Sequence, residues 1–200
     1  MLSIKEPLTG EYCINKSRFI TKIYRVDNPD NIKSIINHVK EEYKDATHYC
    51  YAYIIDQVKH FDDDGEPSGT AGMPILNVLE NNNLNHVLCI VIRYFGGIKL
   101  GAGGLVRAYT KSVTTVMNNN YFIELDKGQL LAIYFNYNDT KQIDRFLNGT
   151  KIVSKEFTDM VIYHIQIPGN QIEKYISFFK DHKIEYKQLN EVYIEKELTQ

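Results

Sequence analysis

The chain has 200 residues, 44% of them hydrophobic and 24% charged, a balance that excludes an extended disordered chain and suits one large domain or two small ones. Its formal net charge of −2 excludes binding to nucleic acid by bulk charge, so any such role needs a local basic patch. Fifteen Tyr and nine Phe against no Trp favour half-buried strands and wet surfaces.

The opening residues, MLSIKEPLTGEY, have no apolar h-region, so no signal peptide is expected. No apolar stretch approaches the length of a membrane span. Cys13, Cys50 and Cys89 are odd in number and far apart, without the spacing of a zinc knuckle or a redox pair. A reducing, cytoplasmic setting fits them.

Residues 11–26 alternate in the manner of a strand. Asn28-Pro29-Asp30 marks a turn and a helix start, and Ile32, Ile35, Ile36, Val39 and Tyr43 then follow helical spacing. HYCYAYIID (48–56) reads as a strand. A polar loop over 60–70 leads to a helix that Thr70 is placed to cap, with Pro74 harmless in its first turn. HVLCIVIRYF (86–95) is the most apolar run and predicts a buried central strand. A glycine-rich loop and a helix over about 102–117 follow.

Beyond Asn118-Asn119-Asn120 the pattern changes. A strand is predicted over 129–137, a helix capped by Asp139, two strands over 151–157 and 160–168, a helix capped by Asn170, and a last strand between 185 and 194. The order βαββαβ is that of a ferredoxin-like unit. The chain thus reads as an α+β protein, with one domain over 1–126 and a second over 127–200.

Charge is distributed unevenly inside the first domain. No Asp or Glu occurs from Asn81 to Ile123, a stretch that holds Arg93, Lys99, Arg107 and Lys111. A second acid-free stretch, 12–26, holds Lys16, Arg18, Lys22 and Arg25. Between strand and helix, RYFGGIKLGAGGLVRAY places Gly96, Gly97, Gly101, Gly103 and Gly104 within nine residues. Glycines let backbone N–H groups approach a ligand, and a helix start adds unpaired donors and partial positive charge. An anion site is one reading; tight turns and close helix–sheet packing are the other. Neither a P-loop nor a dinucleotide fingerprint is present.

The run DDDGEPSGTAGMP carries Asp62, Asp63, Asp64 and Glu66. Crowded carboxylates suggest a metal or an acid–base pair, though the spacing is not that of an EF-hand. A solvated acidic turn with a helix cap is the other reading, and the residues alone favour it. His48 and His60 stand near the strands without a nucleophile motif beside them.

DDDGEPSGTAGMPIL followed by VIRYFGGIKLGAGGLVRAY, together with KSRFI at 16–20, resembles the signature of the YigZ/IMPACT family, over residues 1 to about 126. The remainder resembles the small C-terminal domain of the bacterial two-domain members. The resemblance implies a first domain with the fold of the second domain of a small-subunit ribosomal protein, its helices on one face of a sheet. It implies a ferredoxin-like second domain similar to a terminal domain of elongation factor G. Eukaryotic relatives are linked to translational control and bind an activator of an initiation-factor kinase. No extension of the kind those relatives use for kinase regulation precedes the signature, so the kinase role is not carried over.

The expectation is therefore a translation-linked binding protein that contacts RNA or ribosome. Its phosphate contacts would be Lys16, Arg18, Arg93, Lys99 and Arg107, with exposed Tyr94 or Tyr109 stacking on bases. No catalytic residue, cofactor or metal is assigned. An enzyme acting on a phosphorylated small molecule, using the acidic and glycine loops together, is the alternative, and a protein–protein adaptor is another.

Overall fold

The computed structural model describes residues 1–117 and 122–197 and divides into two compact units, residues 1–124 and 125–197. The asparagine run at 118–120 lies outside the described residues. The first unit runs β1 (Leu2–Ile4), β2 (Leu8–Ile14), β3 (Ser17–Arg25), α1 (Ile32–Glu42), β4 (His48–Ile55), β5 (Val58–Asp62), α2 (Gly72–Asn81), β6 (Val87–Tyr94) and α3 (Gly101–Val116). Its sheet is antiparallel in the order β2-β3-β6-β4-β5.

The apolar run at the centre of the sequence is β6, at the centre of this sheet and buried at seven of its eight positions. A strand apolar on both sides needs cover on both. Val87, Cys89 and Val91 pack with Ile75 and Leu79 of α2 and Tyr109 and Val113 of α3. Leu88, Ile90 and Ile92 pack with Ile32 and Val39 of α1. Helices therefore lie on both faces of the sheet, not on one as the resemblance implies, because α1 covers the alternate side chains of β6.

The single strand expected over 11–26 is a hairpin. Asn15 and Lys16 both have positive φ, 47° and 62°, and Ile14 pairs with Ser17. Two central residues at positive φ define the type I′ turn that matches strand twist. The usual Asn-Gly signal is missing here, which hides the turn. β5 occupies the start of the expected polar loop; it is an edge strand, mostly exposed, so its polar side chains conceal it. The short β1 pairs with residues 122–124.

The second unit takes up the rest of β7 (Phe122–Phe135), then α4 (Thr140–Phe146), β8 (Lys151–Phe157), β9 (Val161–Pro168), α5 (Ile172–Asp181) and β10 (Glu185–Glu197). Its strands lie in the order β10-β7-β9-β8, which with the βαββαβ sequence is the ferredoxin-like arrangement. Leu131, Ile133, Tyr163, Ile165 and Phe179 form its core. Asp139 precedes α4 but makes no side-chain cap bond, and Gln171 rather than Asn170 stands at the α5 cap position. Among the described residues no helix is long and apolar enough to cross a membrane.

Candidate functional site

The acidic loop joins β5 to α2, and its carboxylates point in different directions. Asp62 accepts a hydrogen bond from the Asp64 amide at 2.7 Å. Asp63 accepts three, from the amides of Gly69 (2.8 Å), Ala71 (3.0 Å) and Gly72 (2.8 Å). The Ala71 and Gly72 amides are donors at the start of α2 that the helix leaves unpaired, so Asp63 does the capping expected of Thr70. Thr70 instead donates to the Pro67 carbonyl at 2.6 Å. Asp64 accepts from the Tyr49 amide at 2.7 Å and lies 3.7 Å from Lys40. Among the described residues no group of three or more His, Cys, Asp or Glu could hold a metal ion.

Asp63→Ala is expected to remove about 2–3 kcal/mol of stability, a cap plus further unsatisfied amides. Asp63→Asn should recover part of it, since one amide oxygen still accepts. Urea denaturation of the three proteins checks the ranking.

Glu66 turns inward and is 8% exposed. Its Oε1 accepts from Arg93 Nη1 at 2.5 Å and from the Tyr109 hydroxyl at 2.8 Å. Burial pushes the Tyr109 phenol far up, so it stays protonated and donates. Cys50 Sγ lies 3.2 Å from that hydroxyl and 3.0 Å from the Asp63 carbonyl; burial pushes its thiol up as well. Glu66 Oε2 lies 3.9 Å from His48 Nε2, and His48 Nδ1 lies 2.8 Å from the Asp64 carbonyl.

Two expected surface groups are thus internal. Arg93, read as a phosphate contact, is 4% exposed and held by Glu66. Tyr109, read as an exposed stacking platform, is fully buried against Phe19. The length of each side chain and its place on a mostly apolar element explain both: each reaches its polar partner across the core. Tyr94 is half-buried under the Arg18 guanidinium, 5.8 Å from its ring.

The glycine loop combines both readings made of it. Gly96 packs so closely on Lys16 and Ser17 that a Cβ would overlap their backbone, and its amide donates to Ser17 Oγ at 3.1 Å. Gly101 takes a φ of 69° at the entry to α3, in the left-handed region that glycine enters most readily; Gly97 is also at positive φ. Gly103 and Gly104 form the first turn of α3, with Arg107 beside Gly103. Lys16, Lys99 and Arg107 are exposed and make no ion pair among the described residues. Arg18 differs, being paired with Glu11 at 2.8 Å.

The acidic and glycine loops meet. A cleft of about 400 Å³ has His48, Glu66 and Pro67 from one side, Lys99, Leu100 and Leu105 from the other, and Arg93 and Phe95 from the end of β6. Leu100 also borders a second hollow, with Asn15, Gly104, Arg107 and Lys111. The two hollows thus flank the start of α3. His60 is elsewhere, its ring tilted against those of Tyr51 and Tyr53 beside α1. Sequence reasoning missed Phe95, which is 46% exposed; its signal was an aromatic side chain directly before a glycine pair.

Comparison with known proteins agrees with this architecture. The Impact N-terminal domain family matches residues 15–117. IMPACT family member YvyE of Bacillus subtilis is 35% identical, across 97% of this chain and 93% of its own. IMPACT family member YigZ of Escherichia coli is 30% identical, across 88% and 89%. A crystal structure described as that of a hypothetical protein is similar with a TM-score of 0.66 and 29% identity, across 94% of this chain and 97% of that one. The chain belongs to the IMPACT family.

Proposed function

We propose that this member of the IMPACT family is a translation-linked binding protein that contacts RNA phosphates, on the ribosome or in free RNA, through Lys16, Lys99 and Arg107. The observation that carries the reading is Lys99 and Arg107 in the hollows that flank the start of α3, with Lys16 on the turn against which Gly96 packs; all three are exposed and make no ion pair among the described residues. Among the described residues the one acid that lines the adjoining cleft is Glu66, and its Oε1 is engaged by Arg93. Amides of the first turn of α3 add donors of the same sign. The family resemblance, with its link to translational control, supplies the partner class.

Co-sedimentation with ribosomes and binding to single-stranded RNA across a salt series test it. Binding is expected to fall steeply with salt, since each phosphate contact on a single strand releases counterions at roughly 0.7 per contact. The triple variant Lys16→Ala, Lys99→Ala, Arg107→Ala removes exposed groups and should fold normally. Its salt dependence on single-stranded RNA is expected to flatten by about 2 in log–log slope. No binding at low salt, or binding indifferent to salt, would sink the reading.

The shared cleft favours a second reading, an enzyme acting on a phosphorylated small molecule with Glu66 and His48 handling protons. Turnover of such a compound, lost in His48→Ala, would replace the binding reading.

A further inference from the structure

The cleft between the acidic loop and α3 has unanswered hydrogen-bonding groups that phosphate contacts on the outer surface do not use. Arg93 lines it, is 4% exposed, and its Nε–H has no acceptor among the described residues. Glu66 receives both of its hydrogen bonds on Oε1. Its Oε2 has His48 Nε2 at 3.9 Å, too long for a hydrogen bond. The Asp64 carbonyl 2.8 Å from His48 Nδ1 can only accept, so Nδ1 carries a proton, and in the neutral ring Nε2 is left as an acceptor. An unanswered buried donor and two groups able to accept thus belong to side chains that line one cleft.

The rest of the lining divides by chemistry. Phe95 offers an aromatic face, 46% exposed, and Leu100 and Leu105 add apolar surface. Lys99 brings an exposed cation beside the first turn of α3. The volume, about 400 Å³, is within the range of ligand pockets, roughly 300–1,000 Å³.

We propose that this cleft binds one nucleotide, its base against Phe95 and its phosphate at Lys99. The edge of a base carries donors as well as acceptors, and its donors can answer Glu66 Oε2 and His48 Nε2 in the lining. The proposal rests on the phosphate-binding reading above for its anchoring charge and adds recognition of the base. The nucleotide is either free or an unstacked residue of an RNA strand; the chemistry at the cleft is the same.

Calorimetric titration of the full chain tests it, with the four nucleoside monophosphates, the matching nucleosides and ribose 5-phosphate. At least one nucleoside monophosphate is expected to bind saturably. Omitting either the base or the phosphate should weaken binding about tenfold or more, and Phe95→Ala should do so by about tenfold, the lower range of a lost base–aromatic stack. Phe95 and Lys99 are exposed, so Phe95→Ala and Lys99→Ala test the cleft without disturbing the core.

Competition with single-stranded RNA separates the sources. Displacement of RNA by the nucleotide identifies an RNA residue as the occupant; simultaneous binding identifies a free nucleotide; either upholds the cleft. Saturable binding by none of the four, with RNA binding intact, overturns the nucleotide cleft and leaves the surface reading standing. Equal affinity for ribose 5-phosphate overturns the base contact. Nucleotide binding without any RNA binding overturns the surface reading alone.

Discussion

Glu66→Ala is expected to lower folding stability by about 3–5 kcal/mol, because removing one member of a buried ion pair leaves the other charge uncompensated. The side chains of Arg93 and Glu66 are 5% and 4% exposed. Without the carboxylate, the guanidinium keeps a weak contact to Ser17 Oγ at 3.5 Å and the faces of Phe19 and Phe95. Tyr109 loses the acceptor of its hydroxyl at the same time. Glu66→Gln keeps the shape and an oxygen for Tyr109, so its loss should be smaller, yet the charge on Arg93 remains unanswered. The double variant Glu66→Leu with Arg93→Met should cost less than Glu66→Ala, since both charges leave together. Urea denaturation followed by tyrosine fluorescence measures the four proteins, and hydrogen exchange in β4, α2 and β6 locates the loss. A loss under about 1 kcal/mol for Glu66→Ala would mean that water reaches the pair, which would place it among exposed salt bridges.

That pair also shows what the sequence could and could not reveal. The run of apolar residues in β6 identified the central strand, because burial on both faces removes the alternation of a half-exposed strand. The βαββαβ order of the second unit was legible from helical and strand periods with their turn residues. Pairing between Glu66 and Arg93 was not, since they are 27 positions apart and charge alone reads as surface. The same bias put Tyr109 outside. Asp63 was hidden in a run of three acids, although it is the one of the three that gathers the Ala71 and Gly72 amides at the start of α2. The turn at Asn15 and Lys16 lacked glycine, and its positive φ values are held by the hairpin and by the packing of Gly96 on Lys16. Local signals thus identified most elements, while the polar contacts that shape the cleft depend on how the sheet brings distant segments together. The five cationic candidates divide for the same reason: exposure and partners, not residue type, leave Lys16, Lys99 and Arg107 open and engage Arg18 and Arg93.

Gly96→Ala is expected to be among the most damaging single changes in the first unit, at about 3 kcal/mol or more, the upper part of the range for overpacking. The added methyl would overlap the Lys16 carbonyl and the Ser17 amide, and backbone on both sides cannot turn away as a flexible side chain can. Either the Asn15–Lys16 turn shifts, or the bond from the Gly96 amide to Ser17 Oγ breaks. Two neighbouring glycines serve as comparisons. At Gly97 a methyl meets open space but the φ of 81° strains an L-residue by about 1–2 kcal/mol. At Gly103 the nearest atom is Arg107 Nη1 at 3.7 Å, ordinary contact within a helix, where alanine is favoured over glycine by up to about 1 kcal/mol. The stability order should therefore be Gly103→Ala, then Gly97→Ala, then Gly96→Ala, measured by urea denaturation. Gly96→Ala folding as well as Gly103→Ala would defeat the packing argument. The same three variants separate packing from ligand contact. A glycine needed for packing loses stability first and RNA or nucleotide affinity as a consequence. A glycine needed for ligand approach, as Gly103 would be at the start of α3, loses affinity while its stability is kept or raised.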